Sequence, residues 1–395
     1  MDIVIIAQYL SDLEHLEKTN GRFIYLAQLL KENPDNRVEI VTTSFLHWNK
    51  KQAEIFPKEY CGCKITVVHE PGYPKNVCLK RFSSHRQLAK NIRTYLNGRE
   101  IPDVIYTAVP SLAVADVASK YCKKNHVRFI VDIQDLWPEA FKMVINIPIL
   151  SDLAFWPMKR QADRIYSSAE QIVAVSETYA KRGMRVNRKC KKATVVYLGT
   201  DKNVLDQYSE TYTEKFTGIQ IGYIGSLSSS YDLMSVIEAI SQLKLSHCVK
   251  LLVMGDGIFR QRFEEKAYQL NINCEFTGSL PYPQMIGRLC TCDIAVNPIH
   301  KGSAGSIINK VGDYAMAGLP VVNTQESEEY RNLLSLYNAG INCRCECVED
   351  VRNALEKLIE KPDLRKEMAE NSLKLGVEQF DRRKTYKRIK EVIEK

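Results

Sequence analysis

The 395-residue sequence has no apolar run approaching the roughly 18 to 20 residues needed to cross a bilayer, so it offers no membrane span. Its first apolar run, Ile3 to Ala7, is only five residues long and follows Asp2, which is the wrong build for a secretory leader. Residence in the cytosol is the resulting expectation. The seven histidines are scattered and no Asp-x-Asp occurs, so no ligand set for a divalent metal is evident and metal-free chemistry is expected. Cysteine is present, twelve residues of it, but without a disulfide framework. The one-residue spacings of Cys61/Cys63, Cys290/Cys292 and Cys343/Cys345/Cys347 would set neighbours on one side of a strand, unlike a CxxC zinc knuckle. Reduced, structural cysteine is expected, with several residues (Cys274, Cys290, Cys292) in strand-like segments.

What the chain does have is the balance of a globular protein, 45% apolar and 26% charged residues, at a length that suits two or three domains. The net charge of +8 is lopsided. Residues 1–200 carry 30 basic against 20 acidic residues, while the remainder is slightly acidic. Two stretches lack acids altogether. Pro71 to Arg99 holds Lys75, Lys80, Arg81, Arg86, Lys90, Arg93 and Arg99, and Lys181 to Lys192 holds seven more, including Lys189, Lys191 and Lys192. Such runs are either solvated faces or attractors of an anionic surface: lipid headgroups, a diphosphate-bearing acceptor or nucleic acid. The segment Phe155-Trp-Pro-Met-Lys-Arg160 adds aromatics beside cations, the composition of a membrane-interface contact or of an ordinary packed helix.

Along the first half, short β-branched runs (Ile3–Ala7, Arg37–Thr43, Asp103–Tyr106, Arg128–Asp132, Gln171–Val175, Ala193–Tyr197) alternate with helical spacings and show no hairpin signals. The pattern predicts a doubly wound parallel sheet over residues 1–200. Residues 201–218, polar and rich in Tyr, Thr and Glu, read as a linker. The alternation then restarts with Ile219–Gly225, Lys250–Met254, Cys274–Phe276, Asp293–Asn297 and Pro320–Asn323, predicting a second such sheet over 219–378. The helical pattern from Leu355 to Gln379 is followed, over 379–395, by a charged amphipathic helix expected to pack back on the first domain. The fold class is therefore α/β, and the expected ligand site is the cleft between two Rossmann-like halves, at the carboxyl ends of their strands.

Three segments of the second half carry candidate chemistry. Gly222-Tyr-Ile-Gly225-Ser226 leads from a strand into a Ser-rich loop, and glycine there permits close approach of backbone to a phosphate. Met254-Gly-Asp256-Gly257 and Phe276-Thr-Gly278-Ser279 end the next two strands, the latter offering backbone groups to a flat base. In the segment Gly302 to Val322, a Gly/Ser loop with Ser306 and Asn309 runs into a helix bearing Lys310 and Asp313. Loop amides and Lys310 suit a diphosphate, and the Asp313 carboxylate suits a ribose diol.

In their order, Gly222-Tyr-Ile-Gly225, Met254-Gly-Asp-Gly257 and Asp313-Tyr-Ala-Met-Ala-Gly-Leu-Pro-Val-Val322 resemble the nucleotide-sugar half of a family 4 glycosyltransferase. Asp132-Ile-Gln-Asp135-Leu-Trp-Pro-Glu139, Val175-Ser-Glu177 and Gly199-Thr-Asp201 resemble elements of that family's acceptor domain, so the similarity spans nearly the whole chain. It is nearest to the bacterial members that assemble capsule or O-antigen repeat units. The resemblance implies a GT-B fold and retaining, metal-independent transfer of a hexosyl or N-acetylhexosaminyl group, without a cofactor, from a nucleotide sugar, with a uridine-linked donor expected. The acceptor it implies is a polyprenyl-diphosphate-linked saccharide at the inner membrane face, with no role for nucleic acid. The sequence departs from the family at four points. Gly305 stands where the first of two glutamates eight residues apart is usual, with Asp313 at the second; Ser226 replaces a basic residue; a lysine usual a few residues later is missing; and Gln134 replaces a histidine.

The expected site follows. Asp135 and Lys310 are the catalytic candidates. Donor binding is assigned to Asn20, Gly21, Gly225, Ser226, Asp256, Gly278, Ser306, Asn309 and Asp313, and the basic patch facing membrane or acceptor to Lys80, Arg81, Arg86, Lys189, Lys191 and Lys192. Asp132, three residues before Asp135, reads as structural. Two other readings stay open at this point: a sugar-nucleotide epimerase or hydrolase on the same architecture, and a degenerate, transferase-like binding subunit.

Overall fold

The computed structural model describes residues 1–395 apart from 11–12, 17–20, 77, 145–149, 213–215, 244–247 and 304–305. The chain divides into two compact units. Unit 1 comprises Met1–Val196 together with Tyr386–Lys395, and unit 2 comprises Tyr197–Thr385.

Unit 1 is built on β1 (Asp2–Ile6), β2 (Arg37–Thr43), β3 (Phe45–Leu46), β4 (Lys51–Gln52), β5 (Glu59–Tyr60), β6 (Cys63–Val68), β7 (Val104–Val109), β8 (Arg128–Ile133), β9 (Gln171–Ala174) and β10 (Thr194–Val195). Its main sheet runs β10-β9-β8-β7-β1-β2-β6-β5, parallel except at the β5–β6 edge. β1 lies at the centre with both faces covered, which is why its sequence is an unbroken apolar run instead of an alternating one. The strand order reverses between β1 and β7, so the carboxyl ends of those strands and of β8 border the crevice where such sheets take ligands.

A buried ion pair lies under that crevice. Arg22 Nε sits 2.8 Å from Asp132 Oδ2, and Nη2 sits 3.2 Å from Oδ1, with both side chains almost inaccessible. The same guanidinium donates to the carbonyl of Val196 and to the Tyr386 hydroxyl. Gln134 donates to Asp132 as well. Asp132 is thus a structural residue that ties the first helix (Arg22–Lys31) to β8 and to the last segment of the unit. That last segment, helix Lys387–Glu394 with Tyr386 before it, buries Tyr386, Ile389 and Ile393 completely in the same core as Leu26, Leu30 and Val38.

Unit 2 holds β11 (Ile219–Ile224), β12 (Val249–Met254), β13 (Cys274–Gly278), β14 (Ile294–Asn297), β15 (Val321–Asn323) and β16 (Gly340–Asn342), all parallel, in the order β13-β12-β11-β14-β15-β16. In chain order this is 3-2-1-4-5-6, the doubly wound dinucleotide-type arrangement, and its switch point falls between β11 and β14.

Four sequence expectations need correction. Residues 201–218 are not simply a linker: Lys202–Ser209 is helical, with the Asp201 carboxylate accepting from the Asn203 amide, and it belongs to unit 2. Antiparallel pairs do occur, β3 with β4 and β5 with β6, on short strands whose turns carry no Asn-Gly or Asp-Gly signal. The helical pattern from Leu355 is broken at Lys361, because Pro362 starts a new helix (Pro362–Leu375) after Val348–Glu360. Cys343, Cys345 and Cys347 follow β16 in a loop, and Cys290 and Cys292 lie between a helix and β14, so neither set shares a strand face. All twelve cysteines are free.

Candidate functional site

In unit 2 the site is set by the loops that leave β11 and β12. Gly225 has φ of 129°, a conformation side-chain-bearing residues rarely adopt, and a Cβ there would come within 3.4 Å of Lys310 Nζ. At Gly255 a Cβ would fall 1.8 Å from the Gly225 carbonyl oxygen, so the two loops cross in backbone contact and only glycine fits. The crossing is fastened by Gly225 N donating to Met254 O at 3.0 Å and Leu227 N to Asp256 O at 2.9 Å.

Lys310 begins the helix Lys310–Met316 and reaches under this crossing. Its Nζ is buried, lies 4.1 Å from the ring centres of both Tyr223 and Tyr231, and has no hydrogen-bond partner among the described residues. Removal from water with no anion beside it drives the ammonium well below the usual lysine range. Ser306 Oγ is likewise buried and has no partner among the described residues. The Ser306 backbone is held in place through its carbonyl, which accepts from Gln325 Nε2. Gln325 in turn belongs to a buried ladder of amides at the ends of β14, β15 and β16: Asn297 donates to Asn323 at 2.8 Å and Asn323 to Asn342 at 2.9 Å. A buried lysine amine without a partner among the described residues, beside a loop that turns on Gly225, is chemically suited to an anion.

Asp313, one helical turn further on, has different neighbours. Oδ1 accepts from the Tyr282 hydroxyl at 2.9 Å, and Tyr282 is hydrogen-bonded to Thr200 at 2.5 Å. Burial raises the Asp313 carboxyl to about 6 against the opposing pull of Tyr282, Arg382 and Thr200. Lys310 and Asp313 share a helix but engage separate partner sets, which their spacing of three did not disclose. Asn309 is exposed at the start of that helix and makes no capping bond. Ser226 is exposed, and its carbonyl accepts from the Tyr223 hydroxyl at 2.7 Å. Asp256 is also exposed and turned onto its own segment, accepting from Gly257 N and lying 3.6 Å from Arg260 Nη1. Gly278 (φ 75°) ends β13 beside the same arginine.

In unit 1, Gly21 is the N-terminal cap of helix Arg22–Lys31 and makes no side-chain bond, and Asn20 lies outside the described residues. Asp135 follows β8. Its Oδ1 accepts from Leu136 N at 2.8 Å and lies 3.4 Å from the Tyr179 hydroxyl. Burial raises its carboxyl above the usual range, opposed by the Leu136 amide, Trp137, Tyr179 and Arg81.

Arg81 is a correction to the basic patch. Instead of facing solvent, its guanidinium is half-buried among aromatic rings, 4.6 Å from Trp137 and 5.4 Å from Tyr73, and it donates to the Tyr9 hydroxyl at 2.9 Å. His85 stacks on Trp137 at 5.7 Å and is pushed down to about 3 by burial, then by Arg81 and His47. This cluster of Tyr9, Tyr73, His85 and Trp137 around Arg81 left no trace in the sequence pattern, since its members come from four separate segments. Lys80, Arg86, Lys189, Lys191 and Lys192 are exposed. Arg182, in the second acid-free run, is neutralised by Glu139 at 2.5 Å and Asp163 at 2.7 Å, acids from elsewhere in the chain. Beside Trp137, a cavity of about 520 Å³ opens between the helices Leu79–Gly98 and Leu150–Ser168. Phe82, Trp156, Arg86, Arg160 and Arg164 line it, and no acid does among the described residues.

No group of three or more potential metal ligands occurs among the described residues, and no described helix is long and apolar enough to cross a membrane.

Residues 206–375, which include β11 to β16 and the helix bearing Lys310 and Asp313, match the family described as glycosyl transferases group 1. An uncharacterized glycosyltransferase of Methanocaldococcus jannaschii is 24% identical over 249 residues, a match that spans 62% of this chain and 63% of the relative's own length. Among solved structures, HepE of Anabaena in complex with UDP aligns over the full length of both chains with a TM-score of 0.71 at 16% identity. WaaG, a glycosyltransferase involved in lipopolysaccharide biosynthesis, aligns over 100% of this chain and 99% of its own with a TM-score of 0.66, also at 16% identity. At such identities the likeness is one of fold, and the fold is GT-B with two Rossmann-like α/β units.

Proposed function

We propose that the protein is a glycosyltransferase that moves a sugar from a UDP-sugar to a polyprenyl-diphosphate-linked saccharide, with retention at the anomeric carbon and without a metal or cofactor. The observation that carries this reading is the buried, unpartnered Lys310 amine against the Gly225 loop at the switch point of unit 2, inside the segment that matches the glycosyl transferase family. HepE, with the same fold, is solved with UDP.

In the reaction the bond from the anomeric carbon to the β-phosphate oxygen breaks, and the bond from the acceptor oxygen to that carbon forms on the same face. Negative charge grows on the departing diphosphate. A cation held in a dry site against the bound diphosphate stabilises such charge more in the transition state than in the ground state. Lys310, with Ser306 and the loop amides, takes that part. Asp313 accepts from the ribose hydroxyls, and Asp135 receives the proton of the attacking hydroxyl. The arginine-lined aromatic cavity in unit 1 suits an amphiphile with a phosphate at one end.

The test of the activity is release of UDP from UDP-glucose, UDP-galactose and their N-acetylated analogues, measured with and without a lipid-linked acceptor. Release that requires both substrates supports the proposal. Equal release without acceptor would make the protein a hydrolase and refute transfer. Placement of the donor is tested by Asp313→Asn, which keeps shape but removes the charge-assisted bond. UDP affinity should fall roughly 10- to 150-fold, the equivalent of about 1.5 to 3 kcal/mol. Unchanged affinity by calorimetry would mean the ribose lies elsewhere.

We also infer peripheral attachment to an anionic membrane surface, in the cytosol, at the site of surface polysaccharide synthesis such as capsule, exopolysaccharide or lipopolysaccharide. Lys189, Lys191 and Lys192 are exposed and close together in sequence, so their charge is available to headgroups. The protein should sediment with phosphatidylglycerol vesicles at low salt and be released as ionic strength rises. Changing the three lysines to Glu should weaken that association, and equal binding to neutral vesicles would overturn it.

A further inference from the structure

The burial of Lys310 poses a problem that the donor-site reading above does not address. An ammonium removed from water needs a counter-charge or must give up its proton. In unit 2 the groups around Nζ provide no counter-charge. β11 contributes the Tyr223 ring, and the loop after it the Tyr231 ring, each 4.1 Å away. Asp232, next along, is occupied by the amide and hydroxyl of Ser235. From its own helix, Asp313 accepts from Tyr282, and the Tyr314 hydroxyl accepts from the Ile224 backbone N–H of β11, so neither is turned to Nζ. Beyond β14, His300 pairs with Glu346 at 2.9 Å. Among the described residues no carboxylate lies within ion-pair distance of Nζ.

We propose that Lys310 is a charge switch: it is neutral in the empty protein and takes up a proton when a nucleoside diphosphate enters the loop around Gly225. The inference rests on the donor-site reading and adds to it the protonation state of the cation. An ammonium standing ready between two rings would be unstable, and a permanently neutral amine would do little for a departing diphosphate. The anion itself supplies the counter-charge that makes protonation favourable, so the positive charge appears only where the leaving group needs it. Tyr223 and Tyr231 suit both states, because ring faces tolerate an amine and attract an ammonium. The proton comes from solvent as the ligand enters and returns to solvent when UDP departs. Depression of the lysine by burial agrees with this, and it disappears once a phosphate is within reach.

The experiment is calorimetry of UDP binding to the full chain at pH 8, where UDP is fully ionised, in buffers of different ionisation enthalpy. The expected result is an observed enthalpy that depends on the buffer with a slope of about one proton taken up per UDP bound. Lys310→Met should bind UDP roughly 10- to 150-fold more weakly with no buffer dependence. UDP binding to the wild type with a buffer-independent enthalpy overturns the switch and leaves the donor site standing. Absence of UDP binding to a folded wild type overturns both. A second readout needs no ligand. Because the folded lysine is depressed, the unfolded chain holds an extra proton at every pH between the folded value and about 10.4, so wild-type stability should rise with pH across that window. Lys310→Met removes that dependence and should raise the Tm of the ligand-free protein by a few degrees near pH 7, whereas a fall in Tm would show that the ammonium is already satisfied and overturn the proposal.

Discussion

Replacing Asp135 by Asn is expected to lower kcat by roughly two to four orders of magnitude, the range observed when a positioned general base is lost. The substitution preserves the shape and the acceptor oxygen that meets Leu136 N, so the local turn should survive. What disappears is the ability to receive a proton. UDP affinity should not change, because Asp135 belongs to unit 1 and the residues proposed to hold the diphosphate and ribose belong to unit 2. The pH profile adds a second check. A base works only when ionised, and burial raises this carboxyl, so the acidic limb of kcat/KM in the wild type should lie above the usual carboxylate range and vanish in the Asn variant. If Asp135→Asn retains more than half of the turnover, the residue only caps the turn after β8.

The other large effect is on stability. Asp132→Ala leaves Arg22 buried without its carboxylate and should destabilise unit 1 by about 3 to 5 kcal/mol. Removing both charges, as in Arg22→Met with Asp132→Leu, should cost much less, since no orphaned charge remains. The interaction between the two substitutions is then read from the double-mutant cycle. Intrinsic fluorescence is a convenient probe because all three tryptophans (Trp48, Trp137 and Trp156) belong to unit 1. A urea transition followed that way reports unit 1 without assuming that the whole chain unfolds in one step. Additive effects in the cycle would mean that the pair is not coupled as its geometry requires.

The sequence disclosed the parts of the fold that rest on local pattern. Strands buried on both faces, such as Ile3–Ile6 and Leu251–Met254, are continuous apolar runs and were legible. Cys63–Val68 and Gly340–Asn342 were missed because they mix polar residues or are very short, and pairing with an existing sheet edge, not composition, makes them strands. Helix Lys202–Ser209 buries little beyond Leu205, so no apolar stripe marked it. In the site, Lys310, Asp313 and Gly225 stood out through chain order and glycine. Their environment did not: Tyr223 and Tyr231, which flank the Lys310 amine, and Tyr282, which holds Asp313, lie in other segments of the chain. Arg81 was read as surface charge because a run without acids says nothing of the rings that tertiary packing brings against it.

Unit 1 is discontinuous: Tyr386–Lys395 joins it only after the whole of unit 2 has passed. On a ribosome adding roughly 5 to 20 residues per second, the interval between the emergence of Val196 and that of Tyr386 is about ten to forty seconds. During that time Leu26, Leu30 and the Arg22 guanidinium lack the cover that Tyr386, Ile389 and Ile393 later provide. The contiguous unit can close first although it is made second, and the nascent first unit waits with an open seam. Chaperone dependence during synthesis should accordingly concentrate on the amino-terminal half, and Ile389 and Ile393 should matter more for yield from cells than for the chemistry of the finished protein.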